Sequence, residues 1–256
     1  MNRLVVGMQR ISRSLSVSSP TGIILLPLLL ILLLLTGGPV PLSQAQTDAR
    51  YVAETGHFIR GVFRYFWETE GGLYVFGYPI TEEYVSHETG RVTQYFERAR
   101  FELVEEGGNQ RVELGNLGLE VTAGRVFATA APIRATSQRR YLPEAQHIIQ
   151  YGFKEIWETH GAERIFGYPI SEELEEMTND GRVRTVQYFE RARFEYWPEL
   201  PPGERVVFSA LGRFLAPPTL MAPLPPHAAP GTLPPAPPEP SPPRPPPAQP
   251  PTPPPR

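Results

Sequence analysis

The chain of 256 residues contains no cysteine. That excludes disulfide cross-links, thiol catalysis, a cysteine-based zinc site and a cysteine-linked lipid anchor, so the fold must hold by packing alone. Lysine is nearly absent as well: Lys154 stands alone among 24 basic side chains, the rest being arginine. The arginines are scattered and the formal net charge is −3, so nucleic acid is not an expected partner. No G-x-S-x-G, H-E-x-x-H or phosphate-binding glycine loop occurs, and no cofactor is implied. Long apolar runs are also lacking, with one exception. Residues 23–35 are apolar throughout and follow Arg3, Arg10 and Arg13 with no acid among them. This run fits a signal-peptide core and falls short of the roughly 20 residues that span a bilayer as a helix. Ser43 and Ala45 supply the small side chains a signal peptidase needs. Residues 1–45 therefore read as a cleaved signal peptide, with an uncleaved N-terminal anchor, the one expected membrane contact, as the alternative.

Proline is abundant but unevenly placed: of 32 in the chain, 21 fall in residues 217–256. Such a segment cannot build a core, and residues 216–256 are expected to be an extended, disordered tail.

Between these ends the sequence repeats itself. QYFERARFE occurs at residues 94–102 and again, unchanged, at 187–195, and FGYPI precedes it at 76–80 and 166–170. Tyr51, His57 and Trp67 answer to Tyr141, His147 and Trp157. The extra residues of the second copy fall around Gly181 and in 198–203, where turns are expected, so the packed elements stay in register. The reading is two tandem units, residues 46–127 and 141–215, joined by a linker at 128–140.

Each unit reads as α+β: an amphipathic helix packed on a small antiparallel hairpin or meander. Phe58, Ile59, Val62, Phe63, Phe66 and Trp67 share one helical face. The second copy offers Ile148, Ile149, Phe153, Ile156 and Trp157, with Gly152 in place of Val62. Gly71 and Gly161 sit where the helix should stop. A turn at FGYPI follows, then Thr81 or Ser171 as an N-cap for a short turn carrying Glu82-Glu83 or Glu172-Glu173. Strand alternation places Phe96, Ala99 and Phe101 inward and Tyr95, Arg100 and Glu102 outward. Residues 111–114 and 205–208 complete the meanders. A unit of this size is marginal alone, so the two are expected to lean on each other.

The order W-x3-G, F-G-Y-P-I-[ST]-E-E and Q-Y-F-E-R resembles the LGFP repeat of bacterial cell-surface proteins. Phe76 and Phe166 stand where that repeat has leucine, and Ala99 and Ala192 near where it has glycine. The resemblance implies a protein held to the cell wall.

The candidate binding residues are Tyr78 and Tyr168 on the turns, and Tyr95, Arg100, Glu102, Tyr188, Arg193 and Glu195 on the outward hairpin faces. Flat rings flanked by planar donors and acceptors suit cell-wall polysaccharide; the alternative for the same surface is another exported protein. Glu54-x-x-His57 and Glu144-x-x-His147 have a metal-ligand spacing, yet only two such helices are in view where four are needed, so no metal is expected. Adjacent glutamates cannot readily converge on one glycosidic bond, which makes a glycan hydrolase the weakest reading. The expectation is an exported, non-enzymatic protein of the cell envelope.

Overall fold

The computed structural model describes residues 48–226, all within one of the two units into which the chain divides. The expected signal peptide and the tail beyond residue 226 lie outside the described residues. The described fold is α+β, made of several small antiparallel sheets and short helices. Among the described residues no helix is long and apolar enough to cross a membrane.

In the N-terminal half, strand β1 (Arg50–Val52) pairs with β2 (His57–Ile59), followed by helices α1 (Gly61–Glu70) and α2 (Gly72–Phe76). A four-stranded antiparallel sheet comes next, in spatial order β3 (Tyr84–Val85), β4 (Val92–Tyr95), β5 (Arg100–Glu106), β6 (Asn109–Leu114), and then α3 (Leu117–Val121). The C-terminal half runs β7 (Arg139–Leu142), β8 (His147–Gln150), α4 (Tyr151–Thr159) and α5 (Ala162–Ile165). It continues with β9 (Leu174–Met177), β10 (Val183–Tyr188), β11 (Arg193–Tyr196), β12 (Val206–Phe208) and α6 (Leu211–Leu215), its sheet again in sequential order.

The helices begin later than the apolar spacing suggests. Phe58 and Ile59 are in β2, and Ile148 and Ile149 in β8, each strand paired with the one before it. Gly61 (φ 51°) and Tyr151 (φ 48°) then turn the chain, and only the stripe from Val62 to Trp67, or Phe153 to Trp157, is helical. Each tryptophan is buried and its indole N–H donates to a turn carbonyl, Trp67 to Gly77 and Trp157 to Gly167, both at 2.9 Å. Many of the apolar side chains packed with them are aromatic. Phe76 meets Phe101 edge-on at 4.9 Å and Phe166 meets Phe194 at 4.8 Å, a geometry that adds about 0.5–1.5 kcal/mol per pair beyond burial.

FGYPI and QYFERARFE are tied to each other. Gly77 and Gly167 take φ near 75°, where a Cβ would strike the side chain of Glu97 or Glu190. Those carboxylates accept the N–H of Tyr78 (3.2 Å) and Tyr168 (3.1 Å), and Pro79 and Pro169 bridge to Phe96 and Phe189. Thr81 and Ser171 do not cap a helix as expected: the chain stays irregular after them, and each hydroxyl accepts the N–H of a tyrosine, Tyr95 at the end of β4 or Tyr188 at the end of β10, at 3.0 Å. Gln94 and Gln187 are fully buried. The Gln94 amide donates to the carbonyls of Phe58 (2.7 Å) and Thr81 (2.8 Å), and that of Gln187 to Ile148 (2.9 Å) and Ser171 (2.8 Å).

The halves interlock. Helix α3 sits on the turn after β10: Leu119 N–H donates to Glu190 O at 3.1 Å, and a Cβ on Gly118 would lie 1.8 Å from Phe189 O. Reciprocally, Arg213 N–H of α6 donates to Glu97 O at 3.0 Å, and a Cβ on Gly212 would lie 2.0 Å from Phe96 O. The start of the proline-rich segment is also packed, against expectation. Leu220 and Met221 cover a small apolar cluster, and Leu224 bonds Gly56 O through its N–H (2.7 Å) and the Tyr51 hydroxyl through its carbonyl (3.0 Å). Scattered apolar side chains suffice for such a strap even where a core could not form.

Candidate functional site

The hairpin faces expected to point outward are covered. Tyr95 and Tyr188 are each 6% exposed, and Glu102 and Glu195 each 7%. In the N-terminal half α3 lays Leu117 against Tyr95, and Glu120 reaches the Arg100 guanidinium through two contacts of 3.0 and 2.8 Å. Arg100 also donates to Glu102 (2.9 Å) and to the Tyr95 hydroxyl (3.3 Å). In the C-terminal half Arg193 lies 3.4 Å from Glu176, which accepts the Tyr188 hydroxyl at 2.7 Å, while Arg125 reaches over from the segment after α3 to both. Glu195 is taken up by Ser209 and by Trp197 Nε1. These residues form an internal polar layer and are engaged mainly with each other, although Arg193 keeps Nε and one terminal nitrogen without a hydrogen bond. Strand alternation gives their common face but not α3 and the segment after it, which cover that face.

Tyr78 and Tyr168 are half-buried and pack on the core; the Tyr78 hydroxyl donates to Glu54 at 3.3 Å. His57 and His147 turn to Glu82 (3.4 Å) and Glu172 (2.9 Å), not to the glutamates three residues before them. The same carboxylates accept the N–H of Phe58 and Ile148. No group of three or more metal-ligating side chains converges among the described residues.

Open space of a useful kind lies elsewhere, at the junction of β8 and α4. A cavity of about 390 Å³ is lined by Gln150, Tyr151, Gly152, Phe153, Glu173, Thr185 and Tyr196. Two of its walls are tyrosines that face solvent, Tyr151 at 56% and Tyr196 at 37% exposure. Tyr151 is pinned by its N–H, which donates to Gln138 O at 2.8 Å, and it sits at a left-handed φ that side chains normally avoid. Tyr151 and Gly152 also line a second cavity of about 450 Å³ beside Ser137, Gln138 and Lys154. Burial pushes the Glu173 carboxyl above its ordinary range; the Gln150 amide opposes that shift and the Glu172 charge adds to it.

At the corresponding places of the N-terminal half stand Arg60, Gly61, Val62, Glu83, Val92 and Leu103. Val92 and Leu103 pack on the core there, and Arg60 pairs with both Glu83 (3.3 Å) and Glu82 (3.5 Å). Glycine stands at 152 in place of Val62, where a Cβ would meet Val206 Cγ2 at 3.1 Å, and replacing Arg60 by Gln150 removes the cation. The substitution at 152 was visible in the sequence. The pairing of 151 with 196 was not, since it depends on which strand edge α4 crosses.

The Arg164 and Arg191 side chains border another hollow of about 420 Å³, but both guanidiniums are engaged, Arg164 with Glu70 and Arg191 with the carbonyls of Glu163 and Arg164. No protein-family model and no curated protein matches the chain.

Proposed function

We propose that the chain is an exported, non-enzymatic protein of the cell envelope, built of two tandem helix-on-meander repeats with a disordered proline-rich tail, and that it binds cell-wall polysaccharide. The groove at Tyr151 is the binding site. One observation carries this reading: a cavity walled by two exposed tyrosines, with an amide, a hydroxyl and a carboxyl beside them. Aromatic faces stack on the apolar face of a sugar ring, while Gln150, Thr185 and Glu173 meet hydroxyls as donors and acceptors. The LGFP-like arrangement of the FGYP turn and the QYFER strand points toward the same surroundings. In this reading the first repeat supports the second, since Tyr95 and Tyr188 are committed to packing.

The test is sedimentation of the purified protein with cell-wall sacculi, beside the variant Tyr151→Ala/Tyr196→Ala. The parent is expected in the pellet and the variant, folded by circular dichroism, in the supernatant. A folded parent that stays in solution overturns wall binding and shifts the reading to a protein partner.

A further inference from the structure

The charge of this groove narrows its ligand, on the premise that the groove is the glycan site. The N-terminal half holds a filled version of the same seat. There the Arg60 guanidinium lies between Glu82 and Glu83, so a cation fits that space and the two carboxylates accept it. In the C-terminal half both carboxylates remain, as Glu172 and Glu173, while Gln150 is neutral. Glu172 keeps His147 at 2.9 Å. Among the described residues no arginine, lysine or histidine pairs with Glu173. Glu175 stands nearby, exposed, accepting the Thr185 hydroxyl at 2.6 Å. The nearest lysine, Lys154, is held by Glu158 at 2.7 Å.

A partly buried carboxylate without a cation suffers desolvation that the hydroxyls of a neutral ligand offset less fully than a cation does. An anionic polymer would add repulsion. An ammonium group would instead make a charge-assisted bond to the carboxylate and find aromatic faces on either side. We propose that the Tyr151 groove selects amino sugars whose nitrogen is free, with the sugar ring against Tyr151 and Tyr196 and its ammonium on Glu173. The ligand class is a de-N-acetylated glycan. Its acetylated form presents a neutral amide at the same place and leaves the carboxylate unpaired.

The experiment is calorimetric titration of the full chain with a hexamer of N-acetylglucosamine and with its fully de-N-acetylated form, at a pH where the amine is charged. The free-amine hexamer is expected to bind roughly tenfold more tightly, the scale of one cation–aromatic and carboxylate contact. Gln150→Arg rebuilds the internal cation of the N-terminal half and should erase that preference while leaving the thermal midpoint unchanged or raised. Glu173→Gln should erase it as well. Equal affinity for the two hexamers, or tighter binding of the acetylated one, overturns the amine assignment and leaves glycan binding standing. A preference that survives Gln150→Arg places the amine elsewhere and overturns the assignment too. If neither hexamer binds, the glycan reading itself fails.

Discussion

Gly56, Gly61 and Gly72 in the N-terminal half take φ of 74°, 51° and 51°; the matching positions of the C-terminal half carry Gln146, Tyr151 and Ala162 at 58°, 48° and 47°. These three are the only non-glycine residues with positive φ in the described chain. The backbone path is thus kept where the residue that makes it cheap has been lost. It is imposed by the surrounding hydrogen bonds and packing, which the two halves share, and so the side chain at 151 is free to serve another purpose. The lesson concerns where to look for function in a duplicated sequence. The unchanged string QYFERARFE builds the frame, through Gln94, Phe96 and Phe101 and their partners in the second copy. The chemistry that differs sits on the unlike residues at 60–62 and 150–152.

If the frame is shared through reciprocal contacts, damage to either side must be felt by both. Gly118→Ala and Gly212→Ala each push a methyl into a backbone carbonyl of the other half, at 1.8 and 2.0 Å, where nothing flexible can move aside. Each should cost about 3 kcal/mol or more, at the upper end of overpacking. Urea denaturation followed by tryptophan fluorescence should give one transition with a lowered midpoint for both variants. Two separate transitions would mean that the halves stand independently.

The buried glutamines test the equality of the frames at a smaller scale. Gln94→Leu and Gln187→Leu each leave two interior carbonyls without a donor, which costs on the order of 2–3 kcal/mol. The two losses should agree within about 1 kcal/mol by chemical denaturation, because the bonded carbonyls correspond and the lengths agree closely. A large inequality would show that one half carries more of the stability.

How much of this was legible in the residues differs by scale. The α+β character follows from local signals: the i, i+4 stripe ending in Trp67 or Trp157, the stop at Gly71 or Gly161, and the alternation around Gln94 and Gln187. The helical spacing extends over Phe58 and Ile59, which belong to β2, because a strand entering a helix through a left-handed residue continues the apolar pattern without a break. Tyr95 and Tyr188 were placed on the correct strand faces but judged to face water. Burial of a face depends on elements distant in sequence, here α3, α6 and the Arg125 side chain, and no local period reports them. The groove was legible only as a difference between copies, Gly152 against Val62 and Gln150 against Arg60.

That difference can be sharpened by titration. Burial raises both Glu83 and Glu173, but Arg60 opposes the shift of Glu83 and no cation opposes that of Glu173. A carboxyl raised on folding binds its proton more readily in the native state, so the native state is penalised above the raised pKa and relieved as pH falls through it toward the unfolded value. The groups facing Glu173 are the Glu172 and Glu175 carboxylates and the Gln150 amide, none of which reverses that sign. Glu173→Gln should stabilise the protein slightly at neutral pH, the gain being reduced by solvent screening of a half-exposed group. The advantage should vanish below the carboxyl's titration, as read from thermal midpoints across the acid range. Glu83→Gln should destabilise instead, by leaving Arg60 with Glu82 alone.

The smallest effect concerns the residue at which the halves part most plainly. Tyr151→Gly restores what the N-terminal half has at Gly61. A left-handed conformation costs an ordinary residue about 1–2 kcal/mol, and glycine gives back roughly 0.5–1 kcal/mol of that in unfolded-state entropy. The net is a gain of about 0.5 kcal/mol, visible as a small rise in denaturation midpoint. Glycan affinity should fall in the same variant, because the ring that walls both cavities is gone. Stability and binding moving in opposite directions would identify Tyr151 as a residue kept for its contact with a ligand and tolerated by the frame. A fall in stability would instead mean that the ring packs for the fold, and Tyr196 would remain as the groove's one solvent-facing tyrosine.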